Sequence, residues 1–226
     1  MLTSHNRGAE KKHACILPTA YLPPIEYMVM LIKASYVRIE LHETFPRQTW
    51  RNRCRILTAN GLLDLSIPVH RPQGNHTKTK DVIVSERTNW QAKHWRAITA
   101  AYNKAPFFLY YKDLFAPYFL NRWSGALWQH NNQLLATLMN ELSIDTTIGT
   151  TESYQPAPAF EEDYRERITP KTQRREKPVV THFPPYHQVF GDRFCFTPNA
   201  SIIDLLFNTG PEATPYLRET VKYANG

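Results

Sequence analysis

Three arginines stand at alternate positions in the segment Trp50-Arg51-Asn52-Arg53-Cys54-Arg55-Ile56. On a β-strand successive side chains point to opposite faces, so Arg51, Arg53 and Arg55 would share one face. Trp50, Cys54 and Ile56 would share the other, with Asn52 among them. Guanidinium groups about 7 Å apart along a strand repel one another unless an anion or carboxylates answer them. The planar fork of Arg donates two hydrogen bonds at once and so suits phosphate or carboxylate. The segment therefore reads either as a phosphate or carboxylate site or as a solvated strand face. A second constellation is Trp90-Gln91-Ala92-Lys93-His94-Trp95, in which helical spacing puts His94 on the side of Trp90 and Ile98. Burial there lowers an imidazole pKa and leaves a neutral ring able to take a proton at pH 7. The other reading of His94 is a hydrogen-bonded core residue. Lys93 points off that face and could pair with an anion, while Tyr102, two turns beyond Trp95, is expected to pack.

Other chemistries lack their signatures. His70, His76, His182 and His187 match none of the compact zinc spacings, so no metal site is expected. No GxGxxG, GxxxxGK[ST] or GxSxG occurs, which removes the usual marks of dinucleotide, P-loop and nucleophile-elbow sites. The three cysteines, Cys15, Cys54 and Cys195, form no CxxC pair and no disulfide framework, as in a protein of the reducing cytoplasm. Cys54 has Arg53 and Arg55 as sequence neighbours, but alternation turns them to the opposite face, so a structural thiol is expected.

The elements that must position these groups follow from periodicity. Ala14 to Leu17 suits a buried strand, Pro23-Pro24 opens a helix that runs from Ile25 to about Ser35, and Tyr36 to Leu41 alternates as a second strand. Strand, helix and strand within so short a stretch are compatible with a βαβ crossover. Trp50 to Thr58 and Leu62 to Val69 flank Asn60-Gly61, which predicts a hairpin with a tight type I′ turn. A polar loop, 71–80, leads to a short strand around Val82-Ile83-Val84. Asn89 reads as an N-cap for a helix from Trp90 to Lys104. An aromatic-rich helix, Pro106 to Leu120, is expected to break at Pro117, and Arg122 to Leu142 carries a leucine stripe. Thr146 to Tyr154 is β-compatible. Residues 155–180 read as a mobile loop or strap rich in charge, and Ser201-Ile202-Ile203-Asp204 as a capping box for a two-turn helix stopped by Asn208 and Gly210. The domain reading is thus a disordered lead-in (1–13), an α/β core with a helical block (14–154), the strap, and a C-terminal segment (181–226) packing back on the core.

The charge is unevenly spread. The 226 residues carry a formal charge of +7, yet residues 33–112 alone hold fourteen Lys and Arg against five Asp and Glu. That basic half contains both constellations and favours an anionic partner. Nucleic acid is the less favoured one. Aromatics are dense from Phe107 to Trp128, but Lys112 and Arg122 are the only cations among them, where a nucleic-acid surface interleaves the two. No stretch approaches the roughly 20 apolar residues of a membrane span.

Several segments, taken in order, resemble the WbqC-like family: Tyr21-Leu22-Pro23, Trp50-Arg51-Asn52-Arg53 with Arg55-Ile56, and Lys93-His94 with Tyr102 and Lys104-Ala105-Pro106. Tyr186-His187-Gln188 through Pro198-Asn199-Ala200-Ser201-Ile202-Ile203-Asp204-Leu205-Leu206 completes the set. The family is named for a gene of bacterial O-antigen clusters. What the resemblance implies is a cytoplasmic role in surface-polysaccharide biosynthesis, such as transfer of an acyl or aminoacyl group to an amino sugar. One departure stands out: where many members have His-Gln-Pro-x-Tyr-Leu-Pro, this chain has Leu17-Pro18-Thr19-Ala20-Tyr21-Leu22-Pro23, with Leu17 in place of the His.

The expectation is an α/β (or α+β) fold, a mixed sheet containing a β-hairpin with a helical block packed on it. In the transferase reading Arg51, Arg53 and Arg55, with Tyr21 and Tyr102, bind a sugar nucleotide or lipid-linked sugar. His94 takes a proton from the attacking amine, Asn52 orients the acceptor, and Lys93 lies beside them. No cofactor is expected beyond an acyl or aminoacyl donor, and peripheral membrane contact is compatible with a lipid-linked substrate. The alternative is a non-catalytic binding module for an anionic ligand, a lipid or an acidic partner. The two readings separate on whether His94 opens on a pocket or is sealed in the core.

Overall fold

The apolar stretch at the start of the structure becomes strand β1 (Ala14–Pro18), and helix α1 (Ile25–Lys33) and strand β2 (Tyr36–Glu40) follow it. The computed structural model describes residues 14–158, 162–170 and 178–225, so the expected lead-in, 1–13, lies outside the described residues. β1 and β2 pair in parallel with Ala14 opposite Tyr36, as a βαβ unit requires. Two later strands extend this sheet in the same sense: β7 (Thr147–Thr150) beside β2, and β8 (Glu162–Asp163) beside β1. The order is β7-β2-β1-β8, parallel throughout. β8 comes from the stretch expected to be a loop or strap, and residues 164, 165, 168 and 169 just after it are buried.

The hairpin consists of β3 (Arg53–Thr58) and β4 (Gly61–Ser66), which form their own antiparallel sheet rather than joining the parallel one. Its turn differs from the expected type I′. Thr58 pairs with Gly61, so the turn residues are Ala59 and Asn60. Positive φ falls on Gly61 alone, at 96°. Thr58 Oγ1 donates to the Gly61 carbonyl (2.8 Å) and accepts from the Asn60 N–H (3.2 Å), which holds the loop closed without a left-handed Asn. A smaller antiparallel pair joins β5 (Val69–His70) to β6 (Ile83–Val84).

The helical block is α2 (Trp90–Tyr102), α3 (Phe108–Leu120) and α4 (Leu127–Glu141). α3 continues through Pro117 instead of breaking there, and the Pro117 carbonyl still accepts from the Asn121 N–H at 3.2 Å. Asn89 makes no side-chain cap to α2. After α5 (Gly191–Phe194) come α6 (Ile202–Thr209) and α7 (Ala213–Thr220), the second of which the sequence reading does not anticipate. Helix α1 is buried on nearly every side, from Ile25 through Leu31, because the C-terminal helices α6 and α7 also pack against it.

The capping box expected at Ser201 is not formed. Ser201 Oγ donates instead to the Leu22 carbonyl (2.8 Å), and the Asp204 carboxylate turns to three other donors. Asn199 Oδ1, on a residue with φ 55°, accepts from the Glu26 N–H at 2.9 Å and so serves α1, whose own N-cap, Pro24, offers no side-chain acceptor. The tail is thereby tied to the loop that follows β1.

Candidate functional site

In an open parallel sheet, ligands bind outside the carboxyl ends of the strands where the strand order reverses. From β1 the chain moves outward to β2 and β7, then crosses to β8 on the other side of β1, so the reversal lies between β1 and β8. At that place the chain leaving β1 presents Thr19, Ala20 and Tyr21, all buried, followed by Leu22 at φ 40°. A non-glycine residue there is strained, and the Ser201 hydroxyl on its carbonyl is one contact that holds it.

A buried ionic network closes this edge. Glu40, at the end of β2 and fully buried, accepts from Arg165 Nη1 (3.0 Å), the Thr151 hydroxyl (3.0 Å) and the His42 N–H (2.7 Å). Arg165 also grips Asp163 through Nε (2.9 Å) and Nη2 (2.5 Å). Arg51 forms a two-pronged pair with Glu43, Nε to Oε1 at 2.6 Å and Nη2 to Oε2 at 2.8 Å, and Nη2 reaches the Arg165 carbonyl at 3.2 Å. Burial raises the Glu43 pKa, and Arg51 opposes that rise.

This geometry separates the three arginines. The chain at 50–52 is a turn, not strand, so Arg51 leaves the expected shared face and is 2% exposed, its charge answered by Glu43. Arg55 faces Asp64 across the hairpin, Nε to Oδ1 at 2.6 Å, and its guanidinium lies 5.4 Å from the Trp50 ring centre. Arg53 is half-buried and its Nε is sealed from solvent with no hydrogen-bond partner. Asn52 donates to the Ile67 carbonyl at 2.8 Å, closing the chain below the hairpin. Cys54 is buried and its thiol pKa is raised by desolvation, as a structural thiol requires.

His94 lies in the core at 6% exposure, with Nδ1 3.0 Å from the Tyr21 hydroxyl. Burial brings its pKa down to about 4, opposed by a hydrogen bond to the Ser66 backbone. The Tyr21 hydroxyl donates to Nδ1 or accepts from it according to which tautomer the neutral ring adopts. Lys93, on the outer side of α2, is exposed, and Tyr102 is buried. The Tyr102 hydroxyl donates to Asp204 Oδ1 at 2.8 Å and accepts from the Leu57 N–H at 3.3 Å. Asp204 also takes Tyr186 Oη (2.5 Å) and Gln188 Nε2 (2.7 Å) on Oδ2, three donors whose bonds offset the rise in pKa that burial causes. Leu17, at the place of the family His, is fully buried within β1.

The structure therefore brings Tyr21, His94 and Arg53 to one neighbourhood. Ser66, whose backbone is near enough to His94 to oppose the fall in its pKa, is the cross-strand partner of Arg53. It moves Arg51 and Tyr102 into separate buried networks and leaves Lys93 on the surface. Sequence reasoning missed His130. It is 1% exposed on α4, and both ring nitrogens are sealed without a partner. Rings of Tyr21, Trp90, Tyr118 and Trp123 surround it, with centroids 6.2, 5.5, 6.2 and 5.3 Å away. Burial, with His94 nearby, lowers its pKa to about 4. The signal was present: His130 lies one turn from Leu127 and Leu134 on the leucine stripe, as His94 does from Trp90 and Ile98. Arg165 and Asn131 gave no such signal. Asn131, whose Nδ2 joins Thr19 Oγ1 (3.0 Å) to the Arg51 carbonyl (2.8 Å), is set by contacts 112 and 80 residues away.

No helix among the described residues is long and apolar enough to cross a membrane. No solved structure matches the chain. An uncharacterized protein of Mycobacterium tuberculosis, Rv1507c, is 28% identical over 234 residues, covering 92% of this chain and 98% of its own length. The family model that matches residues 19–176 takes in the carboxyl edge of β1, all three arginines, both core histidines and Arg165, and on that match the chain belongs to the WbqC-like protein family.

Proposed function

We propose that the protein binds the phosphate of a sugar nucleotide or lipid-linked sugar at Arg53 and transfers an acyl or aminoacyl group to an amino sugar in surface-polysaccharide biosynthesis. The observation that carries this reading is the contrast among the arginines. Arg51 and Arg55 are each answered by a carboxylate, whereas Arg53 is half-buried with a sealed, unpartnered Nε–H. A desolvated N–H on a permanent cation costs free energy, and an anion drawn to the half-buried guanidinium offsets that cost. In the transfer, the amine nitrogen attacks the acyl carbon and the bond from that carbon to its carrier breaks. The amine proton passes to His94, whose neutral ring accepts it when substrate displaces the Tyr21 hydroxyl, and His94 then delivers that same proton to the departing carrier and returns to its neutral form. Family membership supports the substrate class.

A second reading is favoured by the pairing of His94 and the burial of Leu17: a binding module in which Arg53 holds the anion and no transfer follows. Thermal-shift measurements with nucleotide diphosphate sugars, followed by incubation with acyl and aminoacyl thioesters, separate the two. The transferase reading expects a raised melting temperature that Arg53→Ala abolishes, and a product that His94→Gln abolishes. Stabilisation lost in Arg53→Ala with no product from any donor leaves the binding module. A wild-type protein indifferent to every probe, or binding that survives Arg53→Ala, overturns both.

A further inference from the structure

Away from the carboxyl edge of the sheet, a cavity of about 560 Å³ opens between the start of α3, the end of α4 and the 210–218 segment. That volume is ordinary for a small-molecule site. Phe107, Tyr110 and Tyr111 give it an aromatic wall, and Glu141 and Arg218 add opposite charges. Gly210, at φ 57°, lets the wall exist, because a Cβ there would stand 2.5 Å from the Phe107 ring. Tyr110 packs edge-on to Tyr111 with centroids 4.8 Å apart, yet is 75% exposed, so a large ring face remains in water. Neither Glu141 nor Arg218 enters an ion pair among the described residues, although both face the same space. Arg218 and Ser143 also line a second cavity of about 370 Å³, which places Arg218 between the two.

We infer that this cavity binds a small zwitterion, its ammonium paired with Glu141, its anionic group with Arg218 and its ring against Tyr110 and Phe107. Two unpaired opposite charges on one cavity select a ligand that carries both signs, and the aromatic wall selects one with an apolar face. Amino-sugar phosphates and aromatic amino acids share that chemistry. The inference uses none of the side chains assigned above to the transfer reaction and stands apart from it.

Isothermal titration of the full chain with glucosamine 1-phosphate and with L-phenylalanine, each also as its N-acetyl derivative, tests it. At least one amine-bearing probe is expected to bind, roughly tenfold or more tighter than its N-acetyl form. Glu141→Gln should erase that preference and Arg218→Gln should weaken both forms, each also measured in an Arg53→Ala background so that phosphate held at that separate site does not contribute. Whichever probe binds identifies the source of the zwitterion. Both substitutions remove a surface-reaching charge, Glu141→Gln isosterically and Arg218→Gln with a shorter side chain, and unchanged melting temperatures confirm folding. Absence of binding by both probes overturns the inference, as does binding that ignores Glu141→Gln and Arg218→Gln. Binding lost only in Arg53→Ala also overturns it, and would place the ligand at the phosphate site instead.

Discussion

Replacing His130 by Leu should flatten the pH dependence of stability. In the folded protein burial holds the His130 pKa at about 4, against about 6.5 in an unfolded chain. Above pH 6.5 both states carry a neutral ring, and protonation contributes nothing to the balance. Between 6.5 and 4 the unfolded chain takes up a proton that the folded chain refuses, so stability falls as pH falls. Below about 4 both states are protonated and the loss levels off. Linkage gives a loss of about 2 kcal/mol from this one ring between pH 8 and pH 5. His94 produces a parallel loss, and the raised pKa values of Glu43 and Asp204 act in the opposite sense. All three groups remain in the variant, so they cancel from the difference. No hydrogen bond is lost on substitution, because neither ring nitrogen has a partner, so at pH 8 variant and wild type should agree within about 1 kcal/mol. On going to pH 5, wild type should lose about 2 kcal/mol more than the variant, or about 4–8 °C in melting temperature for a chain of this size. Urea titrations at closely spaced pH values supply the measurement. Parallel curves would refute the reasoning, since they would mean that His130 titrates normally and reaches water.

Two further outcomes follow from the buried networks. Arg51→Met should destabilise by about 3–5 kcal/mol, because it leaves Glu43 buried with its main cation removed; restoration of most of that loss in Arg51→Met/Glu43→Leu, read by equilibrium unfolding, would separate an orphaned charge from lost packing. Tyr102→Phe should cost about 1.5–3 kcal/mol at pH 7, because it removes one of three donors to a buried carboxylate. With that donor gone the Asp204 pKa rises further, so the cost should shrink at lower pH, and a pH-independent cost would show that the carboxyl is already protonated at neutrality.

Much of the secondary structure was legible because its signals are local. Helical spacing located α1, α2 and α4, a short apolar run located β1, alternation located β2, and the Asn-Gly signal located β3. The errors are also local patterns overridden by distant partners. Ser201 and Asp204 have the spacing of a capping box, yet Leu22 and the tyrosines at 102 and 186 claim their side chains. The arginine alternation at 51, 53 and 55 is real in the sequence, but strand begins only at Arg53 because Arg51 is drawn inward by Glu43. Of the candidate site, the apolar setting of His94 could be read from helical spacing, and that of His130 could have been.

By itself, the amino-acid sequence determined most of the element types up to residue 150, the α/β class and the concentration of positive charge in residues 33–112, all properties of neighbouring residues. Only the tertiary structure decided which of those charges is available. The same guanidinium is neutralised at Arg51, shared with Asp64 at Arg55 and left with an unpartnered Nε among the described residues at Arg53. Strand order was likewise decided there, since β8 joins β1 from about 145 residues further along the chain. The physical reason is one and the same: periodicity acts within a turn or two of backbone, whereas Coulomb and hydrogen-bond partners are chosen by the folded chain in space.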